Sequence, residues 1–406
     1  MVFVGYTSAR VLGFLFAVAA GRLLPAAEFG RLTYAMTVVT IAAALLSSSP
    51  IGLARFLAIY HADPREQESY LTNWIFVVGV LLLVSLAATP VVGLVSGLDL
   101  PLLMALAVNL AGVAVFETYR EVQRGLDRYF LMAVYYVLAN LLQLVVIVVL
   151  GGVGVRSAPV YLTVYGLSSL AGLLLMEVLR PTSLHLGPGL IARRYVLEVL
   201  RYVRPRLLQS VFYVVWFGAD LVAVQHLLDP IATGNYGAAK TLAMVLVMPT
   251  TALGTALMPR VARFSHQRFR AYILRVPVVT AAVTLPFAVL VALLREPLVG
   301  ITFGSKYAHA ADALPVLALG MALYGFHQVL GSLWVGRGRT SIDLLSTSVA
   351  MVVTVTSVFW LVPRMGLVGA GAAFAAGAAA RLGVMAVYTI VELRQPGDGG
   401  DPPGSG

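Results

Sequence analysis

Tyr129-Phe-Leu-Met-Ala-Val-Tyr-Tyr-Val-Leu-Ala-Asn140-Leu-Leu-Gln-Leu-Val-Val-Ile-Val-Val-Leu-Gly151 runs without a charge between Arg128 and Arg156. As a helix it would be about 35 Å long at 1.5 Å per residue, enough to cross a hydrocarbon core of about 30 Å. The stretch reads as a membrane span, and the rest of the chain repeats its pattern. Apolar runs place helices near 2–24, 32–54, 72–95, 102–119, 129–151, 159–179, 205–228, 234–258, 272–294, 312–335, 341–362 and 366–391. Twelve spans of about 20 residues occupy about 240 positions, close to the 60% of the 406 residues that are hydrophobic. Charged residues make up 11%, against about 25% in a soluble domain, and the mean hydropathy is +0.90. The expected fold class is therefore an all-α polytopic membrane protein.

This composition excludes several functions. The longest polar interval, about 25 residues, falls short of the roughly 50 to 250 of an independent domain, so no soluble catalytic domain fits. The chain has no cysteine, which rules out disulfides, thiolate zinc sites, iron–sulfur clusters and cysteine nucleophiles. The six histidines show no metal-ligand spacing, and no Ser/His/Asp order stands out. No catalytic site, metal or cofactor is expected.

The net charge of +10 follows the topology. Alternate intervals between the spans hold nineteen of the 28 basic residues, and the other set holds six. By the positive-inside rule, both termini are cytoplasmic in a multi-pass protein of the cell membrane. The spread of arginines over six separate segments argues against nucleic acid as a partner. The first apolar stretch contains Arg10 and runs into Arg22 without a small-residue cleavage motif, so it reads as a first span and not a signal peptide. Trp74, Trp334 and Trp360 fall near span ends, where indole rings favour the interface. Gln395 to Gly406, rich in Gly and Pro, reads as a disordered tail.

The chain also repeats itself. Leu23-Leu24-Pro25 leads to Gly30 and Tyr34 as Leu227-Leu228-Asp229-Pro230 leads to Gly234 and Tyr236. Arg55-Phe56 is answered by Arg263-Phe264, and Gly125-Leu-Asp-Arg128 by Gly336-Arg-Gly-Arg339. Offsets near 204–211 predict an N-terminal six-helix bundle over 1–179, a basic cytoplasmic linker loop over 180–204 and a C-terminal bundle over 205–394. Even span numbers make the repeats parallel, an arrangement that places a central cavity between the halves and permits alternating access.

Gly234-Asn-Tyr-Gly-Ala-Ala-Lys240-Thr241 misses a nucleotide-binding loop by one residue. Ala239 stands where a glycine is needed and no strand precedes it. Gly369, Ala373 and Gly377 recur at i, i+4, i+8, a spacing that lets helix backbones approach. The candidate site comes instead from charges submerged in the bilayer, each costing roughly 2.5 to 3.5 kcal/mol on insertion scales. Arg10 and Arg381 sit roughly 12 to 15 Å from the cytoplasmic ends of their helices at the helical rise. Asp220 and Lys240, roughly 9 to 12 Å from the external ends of neighbouring helices at the same rise, suit an ion pair or, for Asp220, a coupling-ion site. Tyr213, Trp216, Phe217 and Asp220 share one helical face, and Trp216 suits sugar stacking. Arg10, Arg381, Lys240 and Trp216 are the expected substrate-binding residues; snorkelling arginines and a structural Asp220–Lys240 clasp are the competing readings.

Five segments carry a resemblance: Gly21-Arg-Leu-Leu-Pro-Ala-Ala-Glu-Phe-Gly30; Gly234 to Lys240 with Met258-Pro-Arg260; Phe303-Gly-Ser-Lys-Tyr-Ala-His-Ala-Ala-Asp-Ala-Leu-Pro-Val-Leu317; Gly336-Arg-Gly-Arg-Thr340; and Val362-Pro-Arg-Met-Gly-Leu-Val-Gly-Ala370. In order and spacing this set resembles the polysaccharide repeat-unit flippases of the multidrug/oligosaccharidyl-lipid/polysaccharide flippase superfamily. The resemblance implies movement of a polyprenyl-diphosphate-linked oligosaccharide from the cytoplasmic to the outer leaflet. It also implies polysaccharide polymerase and glycosyltransferases as working partners. The alternatives are a cation-coupled multidrug exporter of the same superfamily and a membrane polymerase or glycosyltransferase. The chain starts nearly within its first span, which leaves an amphipathic stretch before it as an expectation.

Overall fold

A computed structural model describes residues 2–182, 184–261, 264 and 266–394. Arg263 and the tail 395–406 lie outside the described residues, and so does the side chain of Arg260. Every regular element among the described residues is helical. In chain order these are α1 Val2–Leu23, α2 Ala26–Ala42, α3 Ala44–Ser48, α4 Leu53–Ile59, α5 Pro64–Ala87, α6 Thr89–Ser96, α7 Leu100–Gly125, α8 Tyr129–Gly152 and α9 Ala158–Leu179. There follow α10 Arg193–Leu227, α11 Pro230–Met244, α12 Val247–Val261, α13 His266–Leu293, α14 Arg295–Thr302, α15 Ala310–Gly336 and α16 Thr340–Arg394.

Eight of these helices are individually long and apolar enough to cross a membrane, and the bent α2 to α4 segment, turned by 57°, passes as a ninth. The 55-residue α16 is two helices meeting at Gly366, whose φ of 56° interrupts the helical backbone. With α1 and the α11–α12 pair, the elements fall into the twelve segments the apolar runs predict. Breaks appear where the sequence supplies them: Gly52 at φ 112° opens α4, and Pro90 stands at the start of α6, since proline fits a helix only near its first turn.

Several boundaries differ from expectation, α2, α5 and α13 among them starting six to eight residues early. α7 runs to Gly125 and not 119, so Arg120 and Glu121 are helical as Glu117 is. The expected linker loop 180–204 is helical from Arg193 onward. There Tyr195, Val199 and Val203 are buried at i, i+4, i+8, an apolar stripe hidden among the arginines around it. The expected single helix 234–258 is broken between Met244 and Val247. Trp74 and Trp334 are fully buried among other side chains, whereas Trp360 is 60% exposed.

The chain divides into two compact units between Gly218 and Ala219, inside α10. In the first, α7 packs on α9 and α1 on α8. A Cβ on Gly112 would lie 2.7 Å from the Gly166 carbonyl oxygen, so α7 and α9 touch backbone to backbone. Asn109 Nδ2 donates across the same contact to Leu162 O at 2.7 Å. The segment before α10 is strapped to α5: Asn73 Nδ2 donates to Leu190 O at 2.8 Å, and Ala192 N donates to Asn73 Oδ1 at 3.0 Å.

In the second unit α15 is the central helix, packed by α11, α12, α13 and α16. Its core joins Trp334 to Phe269, with ring centroids 5.6 Å apart, and to Ile273 and Met385. Gly369, Ala373 and Gly377 are all buried on α16. The neighbouring Gly371 faces Leu317 and the Ala313 carbonyl of α15.

Candidate functional site

The first unit carries an open-mouthed cavity of about 370 Å³. α1 contributes Arg10 and Gly13, α7 Glu117 and Arg120, α8 Tyr136, Asn140 and Gln143, and α9 Tyr165 and Ser169. Helical spacing selects these residues: Glu117 and Arg120 lie at i, i+3 on α7, and Tyr136, Asn140 and Gln143 at i, i+4, i+7 on α8. Arg120 Nη1 stands 2.5 Å from Glu117 Oε2, their side chains 23% and 18% exposed. The same nitrogen donates to the Tyr136 hydroxyl at 3.2 Å, and Nη2 to Glu121 Oε1 at 3.2 Å. Glu121 Oε1 also accepts from Arg124 at 3.2 Å. A ladder of alternating charge thus fixes Arg120, while half-buried Arg10 faces the same space from α1. Arg120 is thus shared between two carboxylates, and Arg10 adds a second guanidinium to the lining.

In the second unit Asp220 and Lys240 meet. Lys240 Nζ donates to Asp220 Oδ1 at 2.7 Å and Oδ2 at 2.9 Å, and the Tyr236 hydroxyl donates to Oδ2 at 2.7 Å. Asp220 is 0% exposed and Lys240 7%. The Lys240 ammonium also stands 5.3 Å from the Phe374 ring centroid. Lys240 therefore serves as a tethered counter-ion, and Tyr236, one turn before it on α11, completes the clasp.

Arg381 belongs to another buried cluster. Its Nη2 donates to Asp343 Oδ1 at 3.0 Å, and His327 Nε2 stands 3.4 Å from the same oxygen. Trp216 is fully buried, among Tyr213 and Phe217 at centroid distances of 6.1 and 6.4 Å. Of the expected substrate-binding residues, only Arg10 lines the described cavity. Lys240 and Arg381 have separate carboxylate partners, and Arg10 belongs to the other unit.

Sequence reasoning missed Glu117, Arg120, Asn140, Gln143, Asp343 and His327. The signal was present for Asn140 and Gln143, two amides in an otherwise apolar span. Arg120 was hidden by ending α7 at 119, six residues early, which moved it into a loop.

A family model described as "Polysaccharide biosynthesis protein" matches residues 19–312. The chain belongs to that family. No curated protein matches it by sequence at a significant level. Among solved structures, the chain is similar to an inward-facing multidrug resistance MATE family transporter of the MOP superfamily, with TM-score 0.77 and 14% identity over 95% of this chain and 94% of that one. It is also similar to the lipid II flippase MurJ in an inward closed conformation, with TM-score 0.76 and 11% identity over 97% of this chain and 87% of that one. A MOP superfamily transporter from Pyrococcus furiosus, described as having a binding pocket of reversed polarity, gives TM-score 0.65 and 15% identity over 97% and 93%. At these identities the likeness establishes the fold: this member of the polysaccharide biosynthesis family is a multi-pass membrane protein built like flippases and transporters of that superfamily.

Proposed function

We propose that the protein is a flippase that carries a polyprenyl-diphosphate-linked oligosaccharide from the cytoplasmic to the outer leaflet of the cell membrane for surface polysaccharide synthesis. Its termini are cytoplasmic, and the two units work by alternating access. The observation that supports this reading is the pairing of Arg10 and Arg120 on one cavity inside an apolar bundle. A planar guanidinium binds phosphate oxygens bidentately and keeps its proton in any surroundings. Arg120 is aimed by Glu117 and Tyr136, which cuts the ordering cost of engaging an anion. Arg381, held by Asp343, and Lys240, held by Asp220, act in this scheme as supports of the second unit.

An inside-negative potential drives anions outward by about 2.3 kcal/mol per charge per 100 mV. Two phosphate charges crossing the whole field gain twice that, so the potential alone is a sufficient driving force. Two guanidiniums in the lining favour an anionic lipid over the cationic drugs of a multidrug exporter. Deleting the gene and labelling lipid-linked oligosaccharide separately in each leaflet tests the proposal. Cargo should accumulate in the cytoplasmic leaflet; normal delivery to the outer leaflet would contradict it.

A further inference from the structure

The cavity of the first unit has a second wall whose chemistry phosphate does not match. Gln143 is 4% exposed and donates from Nε2 to the Tyr165 carbonyl of α9 at 3.2 Å. That bond occupies the amide nitrogen, while Oε1 is buried with no hydrogen-bond partner. Asn140, one turn earlier on the same face, spends its Nδ2 on the Tyr136 carbonyl at 2.8 Å. Its Oδ1 faces α1, 3.6 Å from where a Cβ on Gly13 would stand. Both residues and Gly13 line the cavity. Two carboxamide side chains of α8 thus belong to the lining, together with Arg10 of α1 and Arg120 of α7.

A buried acceptor without a donor is uncommon and calls for an explanation. A phosphate at neutral pH offers acceptor oxygens and satisfies only the arginine side. The amide side calls for a ligand rich in O–H or N–H. A hydroxylated sugar ring attached to a phosphate carries both kinds of group next to each other. The volume of about 370 Å³ lies at the small end of the roughly 300 to 1,000 Å³ of ligand pockets, the size for one ring and its phosphate, not for a whole oligosaccharide.

We infer that Gln143 and Asn140 are specificity-determining residues that accept hydrogen bonds from the hydroxyl or amide N–H groups of one sugar ring of the cargo, while Arg10 and Arg120 hold the adjoining phosphate. This inference rests on the flippase reading and adds to it the cargo group that is read and the atoms that read it. Gly13 keeps the space beside Asn140 Oδ1 open.

The test is binding to purified protein in nanodiscs. The probes are undecaprenyl diphosphate and its diphospho-linked glucose, galactose and N-acetylglucosamine derivatives. For the wild type, at least one sugar-bearing lipid should bind about tenfold tighter than undecaprenyl diphosphate, the order of one or two net hydrogen bonds. In Gln143→Leu and Asn140→Val that ratio should fall toward one. Asn140→Val removes only an intrahelical bond besides the proposed contact, so it decides the matter if Gln143→Leu does not fold. Equal binding of all the lipids by the wild type, or an unchanged ratio in the variants, would overturn the inference and leave the flippase reading standing. Failure of the wild type to bind undecaprenyl diphosphate or any derivative would overturn both.

Discussion

Arg10 and Arg120 line one cavity, Arg120 braced there by Glu117 and Glu121, whereas Arg381 and Lys240 pair with carboxylates outside that lining, and this difference separates residues expected to touch cargo from residues that hold the fold. Arg10→Ala should abolish export while membrane abundance stays at the wild-type level, measured by leaflet labelling alongside immunodetection. Persisting export would show that Arg10 merely snorkels to headgroups. Lys240→Met strands the buried Asp220 carboxylate, and breaking a buried pair on one side costs about 3 to 5 kcal/mol. The variant should melt well below the wild type in detergent, and Lys240→Met with Asp220→Leu should recover much of the loss. A Lys240→Met protein that melts normally yet does not transport would instead mark Lys240 as a cargo contact. The sequence exposed Arg10, Asp220, Lys240 and Arg381 because single charges stand out in apolar runs. It hid Asp343 and His327 because partners across helices α15 and α16 depend on how those helices pack, which their separate patterns do not encode.

Helix α7 shows how a small error in an element hides a site. Its sequence turns polar after Phe116, with Glu117, Arg120, Glu121 and Arg124 in succession, and hydropathy alone ends the span there. The i, i+3 spacing of Glu117–Arg120 and Glu121–Arg124 is itself a helical signature, and it carries the helix to Gly125. The same holds for Tyr195, Val199 and Val203 among the arginines that begin α10. Interior helix contacts, by contrast, are set by glycines whose role the spacing motif Gly369/Ala373/Gly377 did anticipate on α16. Gly112→Ala forces a Cβ against the Gly166 carbonyl oxygen at 2.7 Å and should lower the melting temperature and the yield of folded protein. Gly79→Ala, where a Cβ meets nothing within 4 Å, should match or slightly exceed the wild type, because alanine favours a helix over glycine by about 1 kcal/mol. Equal behaviour of the two variants would contradict the close α7–α9 contact.

For the protein in its membrane, charge distribution and fold make a joint claim. The apolar runs and alternating arginines predicted twelve spans, and the helical segments match their number and order, since bilayer thickness dictates span length wherever a chain crosses. The chain has no cysteine, so single cysteines report orientation without interference. Arg156→Cys should react with an impermeant maleimide in intact cells, and Arg65→Cys only after permeabilisation. Labelling in the reverse order would invert the topology and the direction of transport with it.

The central claim is tested most directly by reconstituting the purified protein into liposomes with a fluorescent polyprenyl-diphosphate-linked saccharide and following its movement between leaflets under an imposed potential. Wild-type protein should equilibrate the lipid across the bilayer, faster when the potential draws the diphosphate toward the receiving leaflet, and Arg10→Ala should not. Liposomes containing wild-type protein that move the lipid no faster than empty ones would contradict the account.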